Sequence, residues 1–113
     1  ASMHETLQAA KKLGEDGISC EVIDVASIKP LDIETIIASV EKTGRCVIIH
    51  EGAKTCGVGA EISAQIMENC MPDLLAPVQR VTGYDTIMPY FQLEKYYLPS
   101  INRIKDSVFS IME

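Results

Sequence analysis

The residues best suited to chemistry lie in one stretch, residues 50–59, which contains a histidine, a glutamate, a lysine, a cysteine and three glycines. His50 beside Glu51 has the residue types of a general base and its orienting carboxylate. With Cys56 added, the same side chains are of types that bind metal ions. Gly57 and Gly59 precede a predicted helix, where backbone amides can hold an anion.

Each of these possibilities has a simpler alternative. Adjacent residues at the end of a strand point to opposite sides, so His50 and Glu51 do not naturally form a pair. No second His or Cys lies at ligand spacing from Cys56. The third position of a G-x-G-x-x-G pattern is Ile62, and the glycines then serve tight packing of loop against helix. We therefore expect no catalytic, cofactor-binding or metal-binding residue here, and we interpret His50 as a structural or interface residue.

A second candidate region is the irregular stretch from residue 82 to residue 99, which holds all four tyrosines. Irregular segments of this length in a small domain are usually functional or buried in an interface, and tyrosine is favoured at interfaces. The alternative is a surface loop that packs on its own domain. The predicted interface residues from both regions are His50, Glu51, Gly57, Gly59, Tyr84, Asp85, Pro89 and Tyr90.

Composition limits the class of protein. The chain has 113 residues, 47% of them hydrophobic, and a net charge of −6. Such a chain is long enough for one domain with a core. Its acidity argues against nucleic-acid binding. The negative charge either steers a basic protein partner or serves only solubility. The four cysteines form no C-x-x-C pair, so no zinc or redox motif is visible. Their even number would allow disulfides, but no other feature suggests secretion, and we expect a reducing compartment. No signal peptide or membrane-spanning run is visible.

The elements that would position these residues follow from periodicity. Helices are predicted over residues 3–13, after Asp32, over 60–70 and after Ser100. Strands are predicted over residues 20–25, 46–49 and 78–81, and the second is apolar on both faces, as in a parallel sheet covered by helices. The order α-β-α-β-α-β-loop-α predicts an α/β fold, a mostly parallel sheet between helical layers.

Four segments in order carry a resemblance to a known family: EVIDVASIKPLDIETIIASVEKTGR, VIIHEGAKTCGVGAEISAQIME, APVQRVTGYDT, and MPY with Tyr97-Leu98-Pro99. They resemble the C-terminal domain of the beta subunits of pyruvate and branched-chain 2-oxo-acid dehydrogenases, which are relatives of transketolase. Lys29-Pro30-Leu31-Asp32 and Gly57-Val58-Gly59-Ala60-Glu61 carry most of it. A deoxyxylulose-phosphate synthase is a less similar alternative, and a stand-alone nucleotide- or anion-binding module is another.

The resemblance implies a three-layer α/β/α domain over residues 1–113. It implies a parent enzyme that uses thiamine diphosphate and Mg²⁺, held by other parts of that enzyme, to decarboxylate a 2-oxo acid and acylate lipoate. The implied partners are an alpha subunit, a second beta subunit and the basic subunit-binding domain of a dihydrolipoyl acyltransferase. The implied compartment is the bacterial cytoplasm or the mitochondrial matrix. No catalytic residue is carried over, and the segment leaves pyruvate and branched-chain substrates undecided, with GVGAEI and MPY favouring pyruvate.

The chain departs from the family at its start. The family domain has two strands before its first helix, one of them near the middle of the sheet, whereas this chain begins at that helix. We therefore expect a fragment of a longer beta subunit, with strand edges that lack a neighbour.

Overall fold

A computed structural model describes residues 2–87 and 89–112, and the backbone alone of Phe91. The chain alternates helices with two strands, and two short 3₁₀ turns lie at Met71–Asp73 and Phe91–Leu93. The elements in order are helix α1 (Ser2–Glu15), α2 (Ile33–Thr43), strand β1 (Val47–Ala53), α3 (Val58–Cys70), β2 (Gln79–Gly83), α4 (Glu94–Tyr97) and α5 (Ile101–Met112).

The two strands form a parallel pair, in which Val47 lies opposite Gln79 and Ile49 opposite Val81. Side chains alternate across a strand, so the two faces of β1 carry different residues. Cys46 and Ile48 pack with α2 and α3 in a core around Ile66. Val47, Ile49 and Val81 pack on the other face with α1 and α5, around Ala9 and Ile104. The sheet therefore lies between two helical layers, which confirms the predicted three-layer α/β/α architecture.

Helix boundaries follow from capping residues. Asp32 caps α2 by accepting the backbone N–H of Thr35 at 3.2 Å, and Gly44 ends that helix with φ at +75°. A left-handed conformation at a helix end favours glycine. Ser100 caps α5 by accepting the N–H of Arg103 at 3.2 Å. The predicted caps Asp32 and Ser100 are thus confirmed.

The strand predicted over residues 20–25 is wrong: the segment has no strand conformation and pairs with no described strand. Val22 and Ile23 are half-buried, and the Glu21 carboxylate lies 3.5 Å from the Lys42 ammonium at the end of α2. β-Branched residues favour extended backbone, but a strand also needs a neighbour to accept its hydrogen bonds. The turn that follows contains a cis Lys29–Pro30 peptide bond and an antiparallel bridge between Ile28 and Leu31.

The two edges of the sheet differ. The backbone N–H of Gln79 donates to the Cys46 carbonyl, so the alternation of a parallel ladder turns the backbone groups of Val47 and Ile49 away from β2. On the outer edge of β2, the Arg103 guanidinium donates to the Thr82 carbonyl at 2.6 Å. In the described part of the chain no strand covers the outer edge of β1, as expected for a sheet that lacks a neighbour.

Strand β1 is longer than predicted, since it runs through His50, Glu51 and Gly52 to Ala53. The residues that the sequence assigned to a loop therefore start in a strand, and the irregular part is reduced to residues 54–57. A break in register between Ile49 and Ala53 marks this change. Across residues 2–87 and 89–112, none of the helices is long and apolar enough to span a membrane.

Candidate interaction surface

The loops that leave β1 and β2 lie at the same edge of the sheet, because the strands are parallel, and they are bonded to each other. Asp85, in the loop after β2, accepts the backbone N–H of Thr55 at 2.9 Å and also accepts the Thr55 hydroxyl. These bonds, that of the hydroxyl foremost, hold the pKa of the Asp85 carboxyl below its usual range. Arg80 adds a second link by donating to the Lys54 carbonyl at 2.8 Å.

His50 and Glu51 point to opposite faces of the sheet, as predicted. A Cβ on Gly59 would lie 2.6 Å from the Cδ2 and Nε2 atoms of His50, and a Cβ on Gly57 would lie 2.7 Å from its Cε1 atom. The imidazole therefore packs directly against the start of α3. Burial, helped by the Arg80 charge, lowers the pKa of His50. Glu51 is exposed and lines a cleft with Ser2 and Ser100.

The Nε2 atom of His50 is buried, and no described residue offers it a hydrogen-bond partner. Gly57 and Gly59 leave room for the ring, and this supports the packing interpretation of the two glycines over an anion site. Gly57 has extended backbone as the N-cap of α3 and makes no side-chain cap bond. The His50 ring therefore fills space between β1 and α3 and makes no hydrogen bond through Nε2 to a described residue.

Arg103 contacts the loop after β2, and the sequence analysis did not predict this role. Besides its bond to Thr82, Arg103 donates to the Leu98 carbonyl at 3.4 Å, and its guanidinium carbon lies 4.8 Å from the centre of the Tyr84 ring. Tyr84 meets Tyr97 edge-to-face, with ring centres 6.5 Å apart. Arg103 thus links α5 to both ends of the irregular stretch. Its position on a predicted helix gave no signal of this role.

Large apolar side chains project from this stretch into solvent. Ile87 is 91% exposed and Tyr90 is 94% exposed, while Pro89 is half-buried. Leu93 and Tyr96 continue the exposed set. Met88 of the Met88-Pro89-Tyr90 segment lies outside the described residues. We call Tyr84, Asp85, Ile87, Pro89, Tyr90, Leu93 and Tyr96, with His50, Glu51, Gly57 and Gly59 at its border, the carboxyl-edge surface.

The exposed apolar side chains are concentrated in one stretch of the chain, which makes them candidates for an interaction site, because contiguous apolar patches mark such sites. In the part of the chain that the structure describes, no three His, Cys, Asp or Glu side chains converge in a metal-binding arrangement. His50, Glu51 and Cys56 do not come together, and Cys56 is exposed in the loop with φ at +58°.

A second exposed apolar patch lies at the opposite end of α3 and was not predicted. It comprises Met67, Met71 and Leu75, and we call it the methionine patch. Glu41 and Asp73 lie close enough to the end of α3 to help raise the pKa of the Cys70 thiol, behind the larger effect of burial. The last turn of α3 has no basic residue, so the negative end of the helix dipole adds to an acidic border.

A family model for the transketolase C-terminal domain matches residues 1–104. The chain therefore belongs to the transketolase C-terminal domain family, as its residues predicted. Over all 113 residues it is 43% identical to the pyruvate dehydrogenase E1 component subunit beta of Bacillus subtilis (strain 168). It is 42% identical over the same length to the subunits of that name from Staphylococcus epidermidis and Staphylococcus aureus.

The chain spans 35% of the length of these relatives. A solved structure described as "Split gene transketolase, inactive beta4 tetramer" superposes with a TM-score of 0.80 at 29% identity, over 96% of this chain and 34% of that one. The similarity thus covers nearly all of this chain and about one third of the larger proteins.

Proposed function

We propose that this chain is the C-terminal assembly domain of the beta subunit of a thiamine-diphosphate-dependent 2-oxo-acid dehydrogenase, with residues 1–113 as one domain of that longer subunit. The observation that supports this proposal most is the carboxyl-edge surface, where Ile87 and Tyr90 are almost fully exposed. Burying an apolar side chain is worth about 1.5–3 kcal/mol. Covering these side chains with a protein partner would therefore contribute favourable binding free energy.

The parent enzyme would decarboxylate a 2-oxo acid on thiamine diphosphate with Mg²⁺ and pass the acyl group to lipoate. We propose that other parts of the parent hold this cofactor and that the chain alone is inactive. Pyruvate is the substrate that we propose, because the three relatives described above, at 42–43% identity, are beta subunits of pyruvate dehydrogenase. The bacterial cytoplasm or the mitochondrial matrix is the compartment that fits this activity.

The proposed partners at the carboxyl-edge surface are the alpha subunit and a second beta subunit. The methionine patch suits a different partner, the subunit-binding domain of the acyltransferase. A basic domain would find acidic side chains around an apolar centre there, and such complementarity favours rapid and specific association. The net charge of −6 acts in the same direction.

Co-purification tests the main proposal. The chain should capture an alpha subunit of a bacterial pyruvate dehydrogenase, and Ile87→Asp should abolish capture by placing a charge inside the contact. Leu7→Asp is the matched control, because Leu7 is also an exposed apolar residue but is not among the residues that define this surface. Failure of the chain to bind alpha subunit, N-terminal beta domain or acyltransferase would contradict the proposal.

Two further measurements separate the alternatives. Met71→Lys should weaken binding of the acyltransferase domain and leave alpha-subunit binding intact, since it places a positive charge in the methionine patch alone. Calorimetry with nucleotides and with thiamine diphosphate should show no tight binding by the chain. Tight binding of either ligand would favour a stand-alone ligand-binding module instead.

A further inference from the structure

The imidazole of His50 occupies the space between the end of β1 and the start of α3. Its side chain lies on the same face of the sheet as Ile48, which packs with α2 and α3. Gly57 and Gly59 lie against it so closely that a methyl group on either one would overlap the ring. The ring therefore packs under the end of the turn of residues 54–57, in contact with Gly57.

Every element around this ring is better suited to a neutral imidazole than to a cation. Both ring nitrogens of an imidazolium are N–H donors, and the buried Nε2 has no acceptor in the described structure, so the cation would hold an N–H group without a partner. The start of α3 carries the positive end of the helix dipole. On β2, Arg80 adds a full positive charge whose effect on His50 is also to lower its pKa.

The acidic groups nearby do not offset this. Glu51 is the next residue along β1, but its side chain lies on the opposite face of the strand. On α3 the first-turn acid is Glu61, an exposed residue whose carboxylate accepts from Gln65 at 3.0 Å. In the turn itself, Lys54 is a cation, and Asp85 is bonded to Thr55.

We propose that His50 is an acid-sensitive support for the carboxyl-edge surface: the turn of residues 54–57 is closed on a neutral imidazole and opens when the ring takes up a proton from solvent. Opening moves Thr55, and Thr55 carries the bonds to Asp85 that join the two loops. Protonation of this half-buried ring thereby reaches the loop that presents Ile87 and Tyr90. The consequence for partner binding rests on the function proposed above.

Nuclear magnetic resonance tests the support directly, because the chain has only two histidines, His4 and His50. On lowering the pH, the His50 ring should titrate below the ordinary value of 6.5. The amides of Thr55 and Ala60, which donate to Asp85 and to the Gly57 carbonyl, should lose hydrogen-exchange protection with the same midpoint. A His50 ring that titrates at or above 6.5, or loop amides that do not follow it, would overturn the proposal.

His50→Phe is the matched variant, since it keeps a flat ring in the same space and removes the titrating nitrogen. Its loop amides should be independent of pH, whereas His4→Gln should behave as the unmodified chain. If His50→Phe does not fold, the coupling of ring and amides in the unmodified chain decides alone.

Binding of the alpha subunit gives a separate readout. It should fall with the His50 midpoint in the unmodified chain and stay constant in His50→Phe. Absence of binding at every pH, with the loop titration intact, would refute the proposed function and leave the acid-sensitive support standing. Binding that falls equally in both chains would refute the link between the two.

Discussion

Replacing Gly59 by alanine measures how tightly the His50 ring is packed. In an exposed helix this change stabilises by about 1 kcal/mol, because alanine loses less backbone entropy. Here the new methyl group would lie 2.6 Å from two atoms of the imidazole. Overpacking of a well-filled site costs about 1–3 kcal/mol. With about 2 kcal/mol for the overlap, Gly59→Ala should destabilise the chain by about 1 kcal/mol net.

The effect of Gly59→Ala on stability should reverse its sign once the His50 ring is removed. In a His50→Ala background the nearest remaining atom is the Ile48 methyl group at 3.3 Å, which has to move by only a few tenths of an ångström. The helix-propensity gain then remains, and Gly59→Ala should stabilise by about 1 kcal/mol. The coupling free energy between the two positions is therefore about 2 kcal/mol.

Urea denaturation of the four chains of this cycle gives the coupling, provided that the m-value stays constant. Gly57→Ala is the control, because its methyl group would collide with the carbonyl oxygen of Ala53 as well as with the ring. Removing the ring leaves that backbone collision in place, so Gly57→Ala should destabilise in both backgrounds. Additive effects of His50→Ala and Gly59→Ala, within about 0.5 kcal/mol, would refute the packing argument.

Three other predictions concern the rest of the chain. Ile66→Ala should cost about 3 kcal/mol in urea denaturation, because Ile66 is fully buried between α3 and its neighbours. Asp32→Ala should lower the free energy of unfolding at neutral pH and should make that free energy less dependent on acid. The Thr35 hydroxyl and N–H lower the pKa of Asp32. The stabilisation by the Asp32 carboxylate is therefore present above pH 3.8 and is lost as the pH falls through the lowered pKa. A thiol reagent at neutral pH should label Cys56, which is exposed, and spare Cys46, whose pKa burial raises to about 11; equal labelling of both would contradict the layered core.

Periodicity and capping predicted most of the fold, because both act over a few residues. Asp32 and Ser100 begin the helices that they were predicted to begin. The apolar run starting at Cys46 forms a strand covered on both faces. The prediction failed at residues 20–25, where strand formation depends on a neighbour that the local sequence does not describe.

The candidate surface was predicted in part for the same reason. Tyr84, Asp85 and Tyr90 were chosen from residue type and from the irregular stretch; Asp85 bonds to the loop after β1, Tyr84 contacts Arg103, and Tyr90 is exposed. Their role as interface residues stays a prediction. The bond from Thr55 to Asp85 spans 30 residues, and the contacts of Arg103 reach back 21 residues to Thr82. Neither contact has a signature in a single sequence, because neither partner is unusual at its own position.

The two cores on opposite faces of the sheet have a consequence for cooperativity. Ile66 and its neighbours unite α2 with α3, Ala9 and Ile104 unite α1 with α5, and a sheet of only two strands separates these clusters. Each helical pair can therefore open while the other remains folded, as contiguous units do in native-state exchange. In native-state hydrogen exchange, the amides of α1 and α5 should share one opening free energy, and those of α2 and α3 should share another. A partner that binds the edge of the sheet should make the two opening free energies equal.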